Sequence, residues 1–236
     1  MLKFKGASGS LTVICGSMFS GKTEELIRLV RRAMHARKKV QVFKSSLETR
    51  CETTVIRTHD GVTFTAHSIS DSREMEALIE PGVQVVGIEE VQFLDDGIVA
   101  FCQKLANSDV QVIVAGLDQD FRGLPFGFMP ALMALADNVI KLHAICKVCG
   151  DEASRTQRLV DGKPATWDEP TILIGADESY EARCRRCHQV RNSPNLPKKA
   201  SKPRTVKPQL KNRRDNLVEV SSLSSEAEDE SQLEMF

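Results

Sequence analysis

The chain has 236 residues, with 32 Lys and Arg against 32 Asp and Glu. The resulting net charge of zero argues against a protein that coats nucleic acid or adsorbs to membranes by charge. Hydrophobic residues make up 41%, enough to build a core for one large domain or a domain with a small appendage. A single Trp and a single Tyr disfavour a broad aromatic surface for stacking bases. No apolar run is long enough to cross a bilayer. Met1 to Ser10 holds Lys3 and Lys5 but no apolar stretch, so no secretory signal is expected. With seven irregularly spaced cysteines, these features point to a reducing, cytoplasmic location and no membrane partner.

In chain order, Leu11-Thr12-Val13-Ile14-Cys15 reads as a buried strand. Thr23 to Ala36 then repeats Leu26, Leu29, Val30 and Ala33 at helical spacing, with basic residues crowding the end where the helix dipole favours cations. Lys39 to Phe43, Val83 to Ile88 and Val110 to Leu117 read as further strands, and Ile98 to Ala106 as an amphipathic helix. Alternation of this kind predicts an α/β fold, a parallel sheet covered by helices on both faces. After Val139-Ile140-Lys141-Leu142 the pattern shortens, and turn signals appear at Asp161-Gly162 and Asp168-Glu169-Pro170. Beyond Ser193 prolines separate basic residues, and an acidic, serine-rich end follows. Too few large apolar residues occur there to offset the entropy of ordering, so a disordered tail is expected. The expected division is 1–143 for an α/β domain, 144–192 for a small subdomain and 193–236 for the tail.

Gly16-Ser17-Met18-Phe19-Ser20-Gly21-Lys22-Thr23 satisfies the pattern G-x-x-x-x-G-K-[ST] between the first strand and the first helix. Glycines let backbone N–H groups curl around phosphates, and the helix start directs its dipole at them. Lys22 would reach the outer phosphates and the Thr23 hydroxyl would ligate Mg²⁺. Glu89-Glu90 ends the apolar run Val83 to Ile88, at the strand end where open α/β sheets bind ligands. One carboxylate could hold Mg²⁺ and the other accept a proton from a hydroxyl. Cys146-x-x-Cys149 and Cys184-x-x-Cys187 form two knuckles that complete a four-thiolate set for structural zinc. His188 is a neighbour expected at the surface.

These features, in this order, resemble the cytosolic (type II) thymidine kinase family from about Leu11 to Val190. The phosphate loop matches that family's version, including Met18-Phe19. Glu89-Glu90-Val91-Gln92-Phe93 is similar to its D-E-x-Q-F motif. Leu117-Asp118-Gln119-Asp120-Phe121-Arg122 and Pro125-Phe126-Gly127 resemble its thymidine-cavity segment. Ile174-Gly175-Ala176-Asp177-Glu178-Ser179-Tyr180 resembles its lasso loop. The resemblance implies transfer of the ATP γ-phosphoryl group to the 5′-hydroxyl of thymidine; deoxyuridine, which lacks only one methyl group, stands as an open alternative acceptor. It places Glu90 at the catalytic base and Arg50 where it could stabilise transferring charge. ATP would be held by Gly16 to Thr23, Glu48-Thr49-Arg50 and Glu89-Glu90-Val91-Gln92. The nucleoside would be bordered by Met18, Phe93, Leu117, Phe121, Phe126, Thr171-Ile172-Leu173-Ile174-Gly175 and Tyr180. Thr23 and Glu89 would hold Mg²⁺ with ATP, and the four cysteines structural Zn²⁺. A homotetramer inhibited by thymidine triphosphate is implied as well. Glu48 and Glu89 each stand where the family usually carries Asp, and Gly175-Ala176 stands where Gly-Gly is common.

Two other readings fit parts of the sequence. One is a nucleic-acid-stimulated phosphate-loop ATPase with a zinc module, against which neutral charge and few aromatics count. The other is a kinase-like binding protein that has lost turnover through Glu48 and Glu89.

Overall fold

The structure, a computed structural model, describes residues 9–47, 55–57, 63–172 and 179–194. These all fall in one compact unit, Met1–Leu196; a second unit, Pro197–Phe236, lies outside the described residues, as does the expected tail from residue 195 onward. Glu48, Thr49, Arg50, Leu173, Ile174 and Gly175 also lie outside them.

The chain begins with β1 (Ser10–Gly16), α1 (Lys22–His35) and β2 (Val40–Ser45). A small antiparallel pair follows, β3 (Val55–Arg57) with β4 (Thr63–Thr65). Next come β5 (His67–Ile69), α2 (Ser72–Leu78), β6 (Val85–Glu89) and a 3₁₀ turn over Val91–Phe93. Then follow α3 (Gly97–Asn107), β7 (Gln111–Gly116), α4 (Met129–Leu135) and β8 (Asn138–Leu142). Strands β5, β2, β6, β7, β1 and β8 lie side by side in that order as one sheet, every neighbouring pair parallel. The α/β reading of the sequence is therefore correct.

Period-2 alternation distributes the strand residues between two cores. Ile14, Val42, Val85, Ile113 and Ala115 face α1, whose Leu26, Ile27 and Val30 fill that side. Val13, Cys15, Phe43, Val86, Ile88, Val112 and Val114 face the opposite way, packing with Met75 of α2, Ile98, Phe101, Cys102 and Leu105 of α3, and Leu132 of α4. Burying each such side chain contributes roughly 1.5–3 kcal/mol, so Val30→Asp would break the α1 face. Acidic Glu24 and Glu25 in the first turn of α1 and basic Arg32 and His35 in its last complement the helix dipole.

After β8 the chain makes short antiparallel pieces. β9 (Ala144–Ile145) pairs β10 (Glu152–Ala153), and β11 (Arg155–Val160) lies between β12 (Lys163–Pro164) and β13 (Ser179–Arg183). Ala144, Cys146, Ala153, Ala182 and Cys184 make a small core of their own. No helix among the described residues is long and apolar enough to cross a membrane.

Candidate active site

The phosphate-loop motif occupies the turn from β1 into α1, as its flanking patterns predict. Gly16 has φ 148° and Gly21 φ 84°, angles that L side chains adopt at a cost. At Gly16 space forbids a side chain too: a Cβ there would stand 2.3 Å from the Leu142 carbonyl oxygen. Lys22 is buried and donates from Nζ to the Ser17 carbonyl at 2.9 Å. Phe19 is exposed with φ 65°. The loop is also fastened sideways to the cysteine-rich segment. The Ser17 hydroxyl donates to the Ala153 carbonyl at 3.3 Å, and the Met18 N–H to Thr156 Oγ1 at 3.0 Å.

Opposite the loop, β6 ends in Glu89, which is 5% exposed. Thr23 Oγ1 donates to Glu89 Oε1 at 2.5 Å, so the phosphate-loop threonine and the acidic pair do converge. Glu90 is buried in the left-handed region at φ 53°. The Gln92 side-chain amide donates to Glu90 Oε2, and its oxygen accepts the Leu117 N–H at 3.1 Å. One buried glutamine thereby ties the second carboxylate to the end of β7. Gly116 makes room for it, because a Cβ there would lie 2.5 Å from Gln92 Oε1. Val91 turns into the main core instead of toward the loop.

Among the expected nucleoside neighbours, Phe93 and Phe126 meet edge to face, with centroids 5.6 Å apart and planes at 87°. Both are half-buried, as are Met18, Leu117 and Tyr180. Phe121 belongs to a different cluster, with Ala165, Val190, Val160 and Trp167. Thr171 meets Arg122, and Ile172 is exposed. Tyr180 stands opposite Arg158 in the β11–β13 register. Nearby, buried Asp118 pairs with Lys141 of β8 at 2.8 Å.

The four cysteines converge: their sulfur atoms all lie within 4.8 Å of one another. Zn–S bonds of about 2.3 Å in a tetrahedron put sulfurs about 3.8 Å apart, so this donor set fits a closed structural zinc site. Each knuckle is a tight turn, with Gly150 N–H donating to Cys146 O at 2.9 Å and Cys187 N–H to Cys184 O at 3.1 Å. Burial would raise the Cys146 thiol, but backbone N–H groups of Cys184, Cys149 and Val148 bring it down to about 6. Such a thiol is poised to ligate as thiolate. His188, expected at the surface, is half-buried, and its Nε2 lies 2.8 Å from the Phe121 carbonyl. The imidazole therefore links the knuckle to the 120–124 turn.

Thr156 and Arg158 are not singled out by the sequence; Asp118, Gln92 and Arg122 stand there only inside motifs, and Lys141 only in the segment after which the pattern shortens, none with a structural role. Thr156 sits two residues from Arg158 on a strand with no motif around it, and its partner Met18 is 138 positions away.

The sequence model of the thymidine kinase family matches residues 9–188. That span includes the phosphate loop, the acidic pair and all four cysteines, and the chain belongs to the thymidine kinase family of ATP-dependent nucleoside kinases.

Proposed function

We propose that the protein transfers the γ-phosphoryl group of ATP to the 5′-hydroxyl of thymidine, with deoxyuridine as a second acceptor. The observation that carries this reading is the meeting of Thr23 with Glu89 at 2.5 Å, beside a Glu90 held in place by Gln92. Phosphoryl transfer requires little covalent work from a protein and much positioning. Backbone N–H groups of Gly16 to Thr23 bind the phosphates, and Lys22 pairs with their outer oxygens. Glu90 accepts the proton of the 5′-hydroxyl as it attacks. Gln92 orients Glu90 and keeps it from swinging away.

Thr23 and Glu89 offer oxygen donors of the kind Mg²⁺ takes, and the ion that accompanies ATP would neutralise charge on the phosphates there. Half-buried Met18, Phe93, Leu117 and Phe126, together with buried Phe121, border the nucleoside and exclude water. The segment from Thr171 onward, with Tyr180, holds the base edge. Arg50, outside the described residues, supplies positive charge to the transferring group. Cys146, Cys149, Cys184 and Cys187 hold a zinc ion that anchors structure and leaves no open position for chemistry. A homotetramer, inhibition by thymidine triphosphate and a cytoplasmic location complete the proposal.

The test is a kinase assay with Mg-ATP against a panel of nucleosides. Thymidine monophosphate is the expected product. Its absence from folded, zinc-loaded protein overturns the acceptor assignment, and ATP hydrolysis stimulated by nucleic acid would replace it.

A further inference from the structure

Two arginines outside the phosphate-handling residues converge on Phe121. Arg122 donates from Nε to Asp120 Oδ2 at 2.9 Å, from Nη1 to the Trp167 carbonyl at 3.5 Å, and from Nη2 to the Thr171 hydroxyl. Its guanidinium carbon lies 5.3 Å from the Phe121 centroid and 5.7 Å from that of Trp167. Asp120 is itself fixed, accepting the N–H groups of Arg122 and Leu124 at 2.9 Å each. Arg158, fully buried in β11, lies 5.2 Å from the Phe121 ring and donates to the Pro170 carbonyl at 2.6 Å.

This arrangement is more than the packing of Phe121 requires. Well-packed apolar side chains stabilise as much as buried ion pairs do, and at lower desolvation cost. What a guanidinium adds is a rigid fork that can hold several acceptors in one fixed geometry. Here the fork of Arg122 joins the 120–124 turn to the turn that runs from Trp167 to Thr171. We infer that Arg122 is a positioning residue for the acceptor nucleoside, setting the separation of Phe121 and Thr171. The inference rests on the proposed acceptor reading, in which both residues border the nucleoside.

Arg122→Lys keeps the charge but cannot reach Asp120, Trp167 and Thr171 together. Thr171→Val removes one acceptor at a half-buried position where folding is not at stake. Each variant raises KM for thymidine on the order of tenfold, the scale of one charge-assisted hydrogen bond. KM for ATP and kcat stay within about twofold. The double variant is no worse than Arg122→Lys alone, because both act through one contact. Trp167 is the single tryptophan of the chain, so its emission gives a readout independent of turnover. Thymidine titration changes that emission in the wild type, and in Arg122→Lys the midpoint shifts upward by the same factor as KM.

An unchanged KM for thymidine in both variants overturns the inference, as does an equal rise in both KM values or full additivity. Wild-type protein that makes thymidine monophosphate while the variants behave identically to it overturns the inference alone. Wild-type protein that makes none overturns the acceptor reading, and the inference falls with it.

Discussion

The Thr23 hydroxyl donates to the Glu89 carboxylate at 2.5 Å, joining the first turn of α1 to the carboxyl end of β6. The Glu89 side chain reaches across from β6 to meet the hydroxyl directly. Thr23→Ser retains the donor and is expected to keep turnover within about threefold. Thr23→Val removes it from a buried carboxylate, a loss of about 1–3 kcal/mol. Steady-state kinetics against Mg-ATP separate the two, and equal activity of Val and Ser variants would remove Thr23 from the site.

Glu90→Gln leaves an oxygen for the Gln92 amide to donate to but cannot accept a proton. Turnover should fall by about 10²- to 10⁴-fold, while calorimetry shows ATP binding little changed. Comparable turnover in the variant would assign the base elsewhere.

Gly116→Ala tests the support of that carboxylate from below. The new methyl would crowd Gln92 Oε1 at 2.5 Å and Met129 Sδ at 2.9 Å. Displacing Gln92 by a fraction of an ångström moves Glu90 with it, and misplacement on that scale costs on the order of tenfold or more in kcat. A stable Gly116→Ala protein with wild-type kcat would show that Gln92 does not set the position of Glu90.

Removal of zinc should be felt at the nucleotide. Ser17 and Met18 are bonded to Ala153 and Thr156, which lie just beyond the first cysteine knuckle. Chelation, or Cys149→Ser, should lower Tm and raise KM for ATP by about threefold to tenfold, the scale of one or two hydrogen bonds. Metal analysis alongside kinetics checks the link; zinc loss with unchanged KM for ATP breaks it.

Two thiols give a pH prediction with a definite sign. Burial, with the Asp118 carboxylate adding to it, pushes the Cys15 thiol from 9.0 up to about 11, and burial alone pushes Cys102 to about 12. The folded state thus favours neutral thiols. Their contribution to stability is complete below pH 9.0 and is lost as pH rises toward 11 and 12. Denaturation midpoints should fall from about pH 9 upward, less steeply in Cys102→Ala. At about pH 8, alkylation and peptide mapping should find Cys15 and Cys102 unlabelled until urea is added.

Much of the central architecture could be read locally. β1, the phosphate loop and α1 follow one another within 26 residues, Ser10–His35, so motif and periodicity reinforced each other. β2, β6, β7 and α3 are bounded within a few residues of their apolar runs. The elements not foreseen are those with little periodic signal of their own. β5 has only three residues, α2 buries only Ser72 and Met75, and α4 begins with Met129-Pro130. Val139 to Leu142 stands in the sequence only as the point after which the pattern shortens, and the largely exposed burial along β8 shows why alternation does not mark it as a strand. The links that organise the site, Gln92 to Leu117 and Met18 to Thr156, depend on tertiary packing and leave no trace in local spacing.

The place of β1 in the sheet carries a consequence for how the protein is made. β1 leads into the phosphate loop and precedes the other strands of this sheet, yet its two neighbours are β7 and β8, the last strands of the sheet to emerge. β2, β5 and β6 can pair with one another while β1 is still waiting. On a growing chain, long-range pairings of this kind form late. The phosphate-loop turn, which precedes five of the six strands of the sheet in the chain, is therefore among the last parts of it to acquire its final shape.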